Sequence, residues 1–211
     1  MTAKLYYTPQ SCGAASYIVA HKIGAIASGS VVAFETDIRK HVLVGDGSDF
    51  YAVNPKGNVP ALVMDGVLLN ENVAVLVAVG DLCKQHSVLP AEGALRYLVI
   101  NKLAYVASEM HASVGGLFNP ALSAEVRAYV LDRYKSKLAH IEKSEFATKK
   151  YMVGDSFTVA DSYCYIVLSW SPYVGVSLDE YPNTKAYFER IQSLDFVKAA
   201  HAAMAEVSAK K

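Results

Sequence analysis

The sequence predicts two domains of different class: an α/β domain over residues 1–83, running β-α-β and then β-β-α, and an all-α helical domain over residues 93–211, with a linker at 84–92. Three observations carry this. Asp65-Gly66 lies between the apolar runs Ala61 to Met64 and Val67 to Leu69, and Asp-Gly in that setting is a strong signal for a two-residue hairpin. Lys4 to Thr8, Ala14 to Ile23 and Val31 to Glu35 read in turn as strand, helix and strand. Beyond the linker, the apolar residues recur with helical period.

Lys4 to Thr8 is a β-like run that stops at Pro9, and Ala15, Ile18, Val19 and Ile23 then fall at helical spacing before Gly24, a natural helix stop. With the strand at Val31 to Glu35 they form a βαβ unit and a parallel pair. Asp37 to Tyr51 is mostly polar apart from Val42 to Val44 and is expected to be loop with one helical turn. Pro60 stands just before the first hairpin strand, where its missing N–H removes no ladder bond. X-Pro is the peptide for which cis costs little, so a cis Val59–Pro60 bond is expected. After the hairpin, Asn70-Glu71-Asn72 supplies capping residues ahead of the apolar run Val73 to Val79. The helix that starts there has free N–H groups and a positive dipole end, which suit an anion. The order is thioredoxin-like.

Gln85-His86-Ser87 and Leu89-Pro90 break the pattern and mark the linker. Leu95, Val99, Leu103, Val106, Met110 and Val114 are spaced four or three apart, as are Val126, Val130, Tyr134, Leu138 and Ile141, so two long amphipathic helices follow. Gly115-Gly116 and Asn119-Pro120 separate them. Thr158 and Asp161 stand as a capping box with Asp in place of Glu, ahead of a buried helix through Tyr163 to Leu168. Further helices are expected from Pro182 and over Phe196 to Ala205.

With 53% hydrophobic residues the chain can bury a substantial core, and equal counts of 20 basic and 20 acidic residues give no electrostatic case for nucleic acid or an anionic membrane. No apolar run reaches membrane-spanning length, and a soluble, cytoplasmic protein is expected. Cys12, Cys83 and Cys164 are too few and too scattered for a disulfide framework or a zinc site, so no metal is expected.

Lys4-Leu-Tyr-Tyr-Thr-Pro-Gln-Ser-Cys12, Asn54-Pro-Lys-Gly-Asn-Val-Pro-Ala-Leu62, Glu109-Met-His111 and Phe157-Thr-Val-Ala-Asp161 occur in the order that resembles the cytosolic glutathione transferases, most closely the bacterial beta class. The resemblance covers nearly the whole chain. It implies an enzyme that adds the glutathione thiolate to a small hydrophobic electrophile, or that exchanges thiols with glutathione through Cys12. Glutathione is then a co-substrate, and no other cofactor is implied. The alternative is a non-catalytic protein of the same fold that carries hydrophobic ligands or protein partners.

Cys12 falls where the first helix begins, and helix N-terminal N–H groups can lower a thiol pKa; the resemblance makes it the residue that forms a mixed disulfide with glutathione. Cys83 and Cys164 read as buried apolar residues. Tyr7 and Ser11 are further candidates for activating the thiol, while Tyr6 reads as packing. Asp161 reads as a cap rather than a catalytic acid. The resemblance assigns Asn58, Val59 and Pro60 to the glutathione site, with the Val59 backbone pairing with the cysteinyl backbone of glutathione; it assigns Glu71 and Asn72 to the γ-glutamyl end, Lys40 or His41 to the glycine carboxylate, and His111 to the neighbourhood of the thiol. A homodimer is expected, because Val73, Val75, Leu76, Val77, Val79 and Leu82 surround nearly the whole of their helix, and one sheet cannot cover every side.

Overall fold

The structure, a computed structural model, describes residues 2–82 and 88–209; Cys83 and linker residues 84–87 lie outside them. By contact density the chain groups into two compact units, 1–91 together with 193–211, and 92–192.

The first unit opens with β1 (Ala3–Tyr7), α1 (Gly13–Lys22) and β2 (Val31–Asp37), continues through a two-residue strand β3 (Val42–Leu43), and closes with β4 (Ala61–Met64), β5 (Val67–Leu69) and α2 (Asn72–Asp81). Among the described residues these strands form one sheet in the order β3-β2-β1-β4-β5. β1 and β2 are parallel, from Ala3 opposite Val31 to Tyr7 opposite Glu35, and β4 and β5 are antiparallel to their neighbours. The hairpin turns at Asp65 (φ 53°) and Gly66 (φ 77°), the two positive values of a type I′ turn. The helix stop at Gly24 is a Schellman cap: Gly24 donates to the His21 carbonyl and Ala25 to that of Ala20, both at 3.0 Å.

The segment 37–51 is less irregular than expected. β3 pairs antiparallel with β2, and Phe50–Ala52 forms a short 3-10 turn capped by the Asp49 carboxylate. β3 escapes sequence reading because two residues carry no period.

The second unit holds α3 (Gly93–Tyr105), a π-helical turn over Val106–His111, α4 (Ala112–Gly115), a 3-10 turn over Gly116–Phe118, α5 (Ala124–Ser144), α6 (Val159–Leu168) and α7 (Pro182–Ser193). Val99, Leu103, Val106, Met110 and Val114 are buried, as are Tyr134, Leu138 and Ile141 on α5, while Leu95 and Val126 at the ends of the two expected stripes are exposed. α6 is buried along its whole length. Asp161 begins it: Oδ2 accepts from the Thr158 N–H and hydroxyl at 2.8 Å, and Oδ1 from the Met152 N–H at 2.7 Å and the Tyr187 hydroxyl at 3.0 Å.

The last helix, α8 (Asp195–Ala209), groups with the first unit, although the sequence assigned it to the helical half. It packs on α1: the Lys22 ammonium lies 4.3 Å from the centre of the Phe196 ring, and the Ser208 hydroxyl donates to Glu35 at 2.9 Å. α1 is in consequence buried from Gly13 to Ala20 rather than on one stripe.

Asp161→Ala takes the acceptor from the Met152 N–H and from the Thr158 N–H and hydroxyl and leaves the Tyr187 hydroxyl only the Asp161 carbonyl at 3.5 Å, and unfolding in urea is expected to show a loss of about 3 kcal/mol. A change within about 0.5 kcal/mol would remove the cap from the account.

Candidate functional site

Asn54 organises the segment that leads into the hairpin. Its side chain is fully buried. The carboxamide Nδ2 donates to the Asn58 carbonyl at 2.7 Å, and Oδ1 accepts from the Lys56 N–H at 3.2 Å and from Asn70 Nδ2 at 2.9 Å. Its backbone carbonyl also takes the Gly57 N–H at 2.8 Å. One amide therefore fastens the loop before β4 to the residue that precedes Glu71. Sequence reading used Asn54 only as part of a motif; the signal present was Asn-Pro, an initiator of turns.

Gly57 sits at φ 67°, and a Cβ there would fall 2.8 Å from both His41 Nδ1 and Tyr51 Cε1. The His41 ring lies 4.4 Å from that of Tyr51, so His41 packs over the loop, at a left-handed φ of 54° unusual for a residue with a side chain. Lys40 takes another course. Its ammonium is exposed, 4.0 Å from Asp37, and it lines a hollow beside β2 and β3 with Glu35 and Val207. Of the two residues left open by the sequence, His41 is the one placed against this loop, at Gly57.

Val59 and Pro60 are buried and joined by a cis peptide bond. The Cys12 thiol donates to the Val59 carbonyl at 3.3 Å. The thiolate expected at this helix start is absent: the Cys12 pKa is pushed up to about 12, chiefly by burial, with the Glu71 carboxylate adding to the rise. The N–H groups of Cys12 and Gly13 pull the other way and are outweighed. Cys164 is fully buried and its pKa is likewise raised by burial.

Two candidates for activating a thiol are spent elsewhere. The Ser11 hydroxyl donates to the Thr8 carbonyl at 2.8 Å and accepts the Gly13 N–H at 3.0 Å, so it closes the turn before α1. Tyr7 is a core residue whose ring lies 4.5 Å from that of Tyr17, and burial raises its pKa, with Tyr17 and Glu35 adding to it. Tyr6, on the other face, stacks on Phe34 at 5.2 Å. Both tyrosines pack because both faces of β1 are covered.

At the start of α2 the Asn72 carboxamide faces inward, accepting from the Ser16 hydroxyl at 2.9 Å and donating to the Cys12 carbonyl at 3.2 Å. It ties the beginning of α2 to that of α1. Glu71, the N-cap residue, makes no side-chain cap and is exposed, paired with the Lys56 ammonium. Lys56 was not singled out from the sequence; nothing local marks a lysine whose partner lies across a hairpin.

In the second unit His111 ends the π-helical turn, with Nδ1 2.6 Å from the Tyr163 hydroxyl and its ring edge-on to Trp170 at 4.9 Å. Burial lowers its pKa, so the imidazole is neutral at pH 7. Its neighbour Glu109 pairs with Lys137 at 2.7 Å. Among the described residues no group of three or more His, Cys, Asp or Glu is placed to hold a metal ion, and no helix is long and apolar enough to cross a membrane.

Residues 95–195 match the family described as Glutathione S-transferase, C-terminal domain. The chain is 33% identical over 190 residues to Glutathione S-transferase GstA of Escherichia coli O157:H7, with 89% of this chain and 92% of that protein covered. The chain belongs to the glutathione S-transferase family. Its structure is similar to that of the bacterial beta class glutathione S-transferase of Sphingomonas chungbukensis, with a TM-score of 0.87, 34% identity, and 95% and 98% of the two chains covered. It is also similar to a sphingomonad glutathione S-transferase complexed with glutathione, with a TM-score of 0.88, 36% identity, and 96% and 98% covered.

A thiol with a pKa near 12 is ionised in about one molecule in 100,000 at pH 7. A small alkylating agent is therefore expected to label Cys12 of this glutathione S-transferase more slowly at pH 7 than it labels free cysteine, with the rate climbing steeply above about pH 9. Peptide mass mapping over time reads both rates; labelling at pH 7 as fast as free cysteine would contradict the raised pKa.

Proposed function

We propose that the protein binds glutathione along its first unit and adds the glutathione thiolate to small hydrophobic electrophiles. The observation that carries this reading is the approach of the Cys12 sulfur to the Val59 carbonyl, 3.3 Å apart beside the cis proline, in a family in which a relative's structure is described as complexed with glutathione. In this reading the cysteinyl backbone of glutathione pairs with Val59, its thiol lies beside Cys12, its γ-glutamyl amino group meets Glu71, and its glycine carboxylate meets His41.

Conjugation is favoured over thiol exchange by the state of Cys12. A protonated thiol with a pKa near 12 is a poor nucleophile but a hydrogen-bond donor, and a bound thiolate needs donors. On binding, the Cys12 S–H turns from the Val59 carbonyl to the thiolate and the Cys12 N–H joins it, lowering the pKa of the bound glutathione thiol so that thiolate is present at neutral pH. Holding that thiolate beside the electrophile supplies the remainder of the rate. A homodimer is proposed from α2, whose Val73, Ala74, Val77 and Ala78 are partly uncovered and whose flanking Leu82 is exposed.

Retention on immobilised glutathione together with turnover of a generic aryl halide is the expected result. Cys12→Ala should keep turnover but move the pH profile of kcat/KM for the aryl halide, taken at saturating glutathione, to higher pH, because losing a donor raises the pKa of the bound thiol. Retention without turnover would make the protein a binding protein, and an unmoved profile would remove Cys12 from the thiolate site.

A further inference from the structure

β3 covers only part of the outer edge of β2. It pairs opposite Thr36 and Asp37, the Val44 N–H closes on the Glu35 carbonyl at 2.9 Å, and the chain then turns back through Gly45 and Gly47. The next edge position along β2 is Ala33, opposite Leu5 of β1. In a parallel pair the ladder bonds of β1 run to the residues on either side of that partner, so the N–H and carbonyl of Ala33 point away from β1, to the edge that β3 does not reach. A hollow of about 680 Å3 lies along this edge, with Ala33 in its lining, and small-molecule sites span roughly 300–1,000 Å3. Phe34, Val44 and Val207 of α8 give it apolar walls. Its charges do not balance: the carboxylates of Glu35, Asp37 and Asp46 line it against the ammonium of Lys40. Lys40 is 78% exposed and 4.0 Å from Asp37, so water screens it strongly. Glu35 is only 8% exposed, with Oε2 accepting from the Ser208 hydroxyl at 2.9 Å, and a charge on that side of the hollow is screened least.

We infer that this hollow is a second ligand site, for small apolar amines, which set their ammonium toward the Glu35 and Asp37 carboxylates and the Ala33 carbonyl and lay their apolar body against Phe34, Val44 and Val207. Acceptors dominate the polar lining, and an ammonium brings donors alone. An anion with the same body meets the carboxylates and is rejected. The inference does not rest on the glutathione reading. β1 separates this edge from β4 and the loop of Val59, and Lys40, which the sequence left open for the glycine carboxylate of glutathione, lines the hollow instead.

The test follows the backbone amide NMR signals of the intact, isotope-labelled protein at pH 7 during titration with phenethylamine, with its neutral counterpart phenethyl alcohol, and with anionic phenylpropionate. The amides of Ala33, Val44, Gly45 and Gly47 are expected to shift, with a Kd for the amine about tenfold or more below that for phenylpropionate and the alcohol between them. Asp37→Asn keeps an acceptor for the Arg39 and Lys40 N–H groups and is expected to raise the Kd for the amine roughly threefold while leaving the alcohol unchanged. Val207→Trp, at a position 43% exposed, fills the hollow and should weaken both ligands. Saturating glutathione should leave the Kd for the amine unchanged. Equal affinity for the three ligands, or an Asp37→Asn loss shared by amine and alcohol, would overturn the selection of amines. Unmoved amides along this edge, or full binding to a folded Val207→Trp protein, would overturn the site, and displacement of the amine by glutathione would overturn its independence.

Discussion

The buried carboxamide of Asn54 is the constraint on which the arrangement around Val59 and Glu71 depends. An amide has two donors and two acceptor positions, and here a single one serves the loop on one side and the start of α2 on the other. The groups it joins lie at the two ends of the β4–β5 hairpin, and the amide ties together what the hairpin ladder brings near. Through the Asn58 carbonyl it fixes the approach to the cis proline; through Asn70 it fixes the first turn of α2. Asn72 then continues the chain of bonds to Ser16 and the Cys12 carbonyl, so that α1, α2 and the loop share one polar network.

That network explains why Cys12 behaves unlike an isolated helix-terminal cysteine. The same packing that brings its sulfur to the Val59 carbonyl removes it from water, and desolvation then outweighs the two backbone N–H groups that favour the anion. The result is a protonated thiol that donates to the Val59 carbonyl. The Glu71 carboxylate pushes in the same direction, since a second negative charge nearby is disfavoured.

Most of the fold was legible because its signals are local. Asp65-Gly66, Gly24 and the Thr158 to Asp161 box each settle a turn or an end within a few residues, and the structure holds all three. The site was legible as a set of places but less so as chemistry. Alternation along β1 says that Tyr6 and Tyr7 face opposite ways, but not that both faces are covered. The helix-start rule for Cys12 contains no desolvation term, because burial comes from segments distant in the chain. Lys40 and His41 are adjacent, and their opposite courses follow from one left-handed residue that sequence does not announce. α8 was placed with its neighbours in sequence, whereas its contacts run back to α1 and β2.

The central claim is that Asn54 holds the loop and the start of α2 in the geometry proposed to take glutathione, and glutathione titration of Asn54→Ala tests it most directly. Circular dichroism and a cooperative melt at lower temperature identify a folded variant, and its affinity for glutathione is expected to fall by about tenfold or more, as for the loss of a buried hydrogen-bonded group. A folded Asn54→Ala protein that binds glutathione with unchanged affinity would contradict the account.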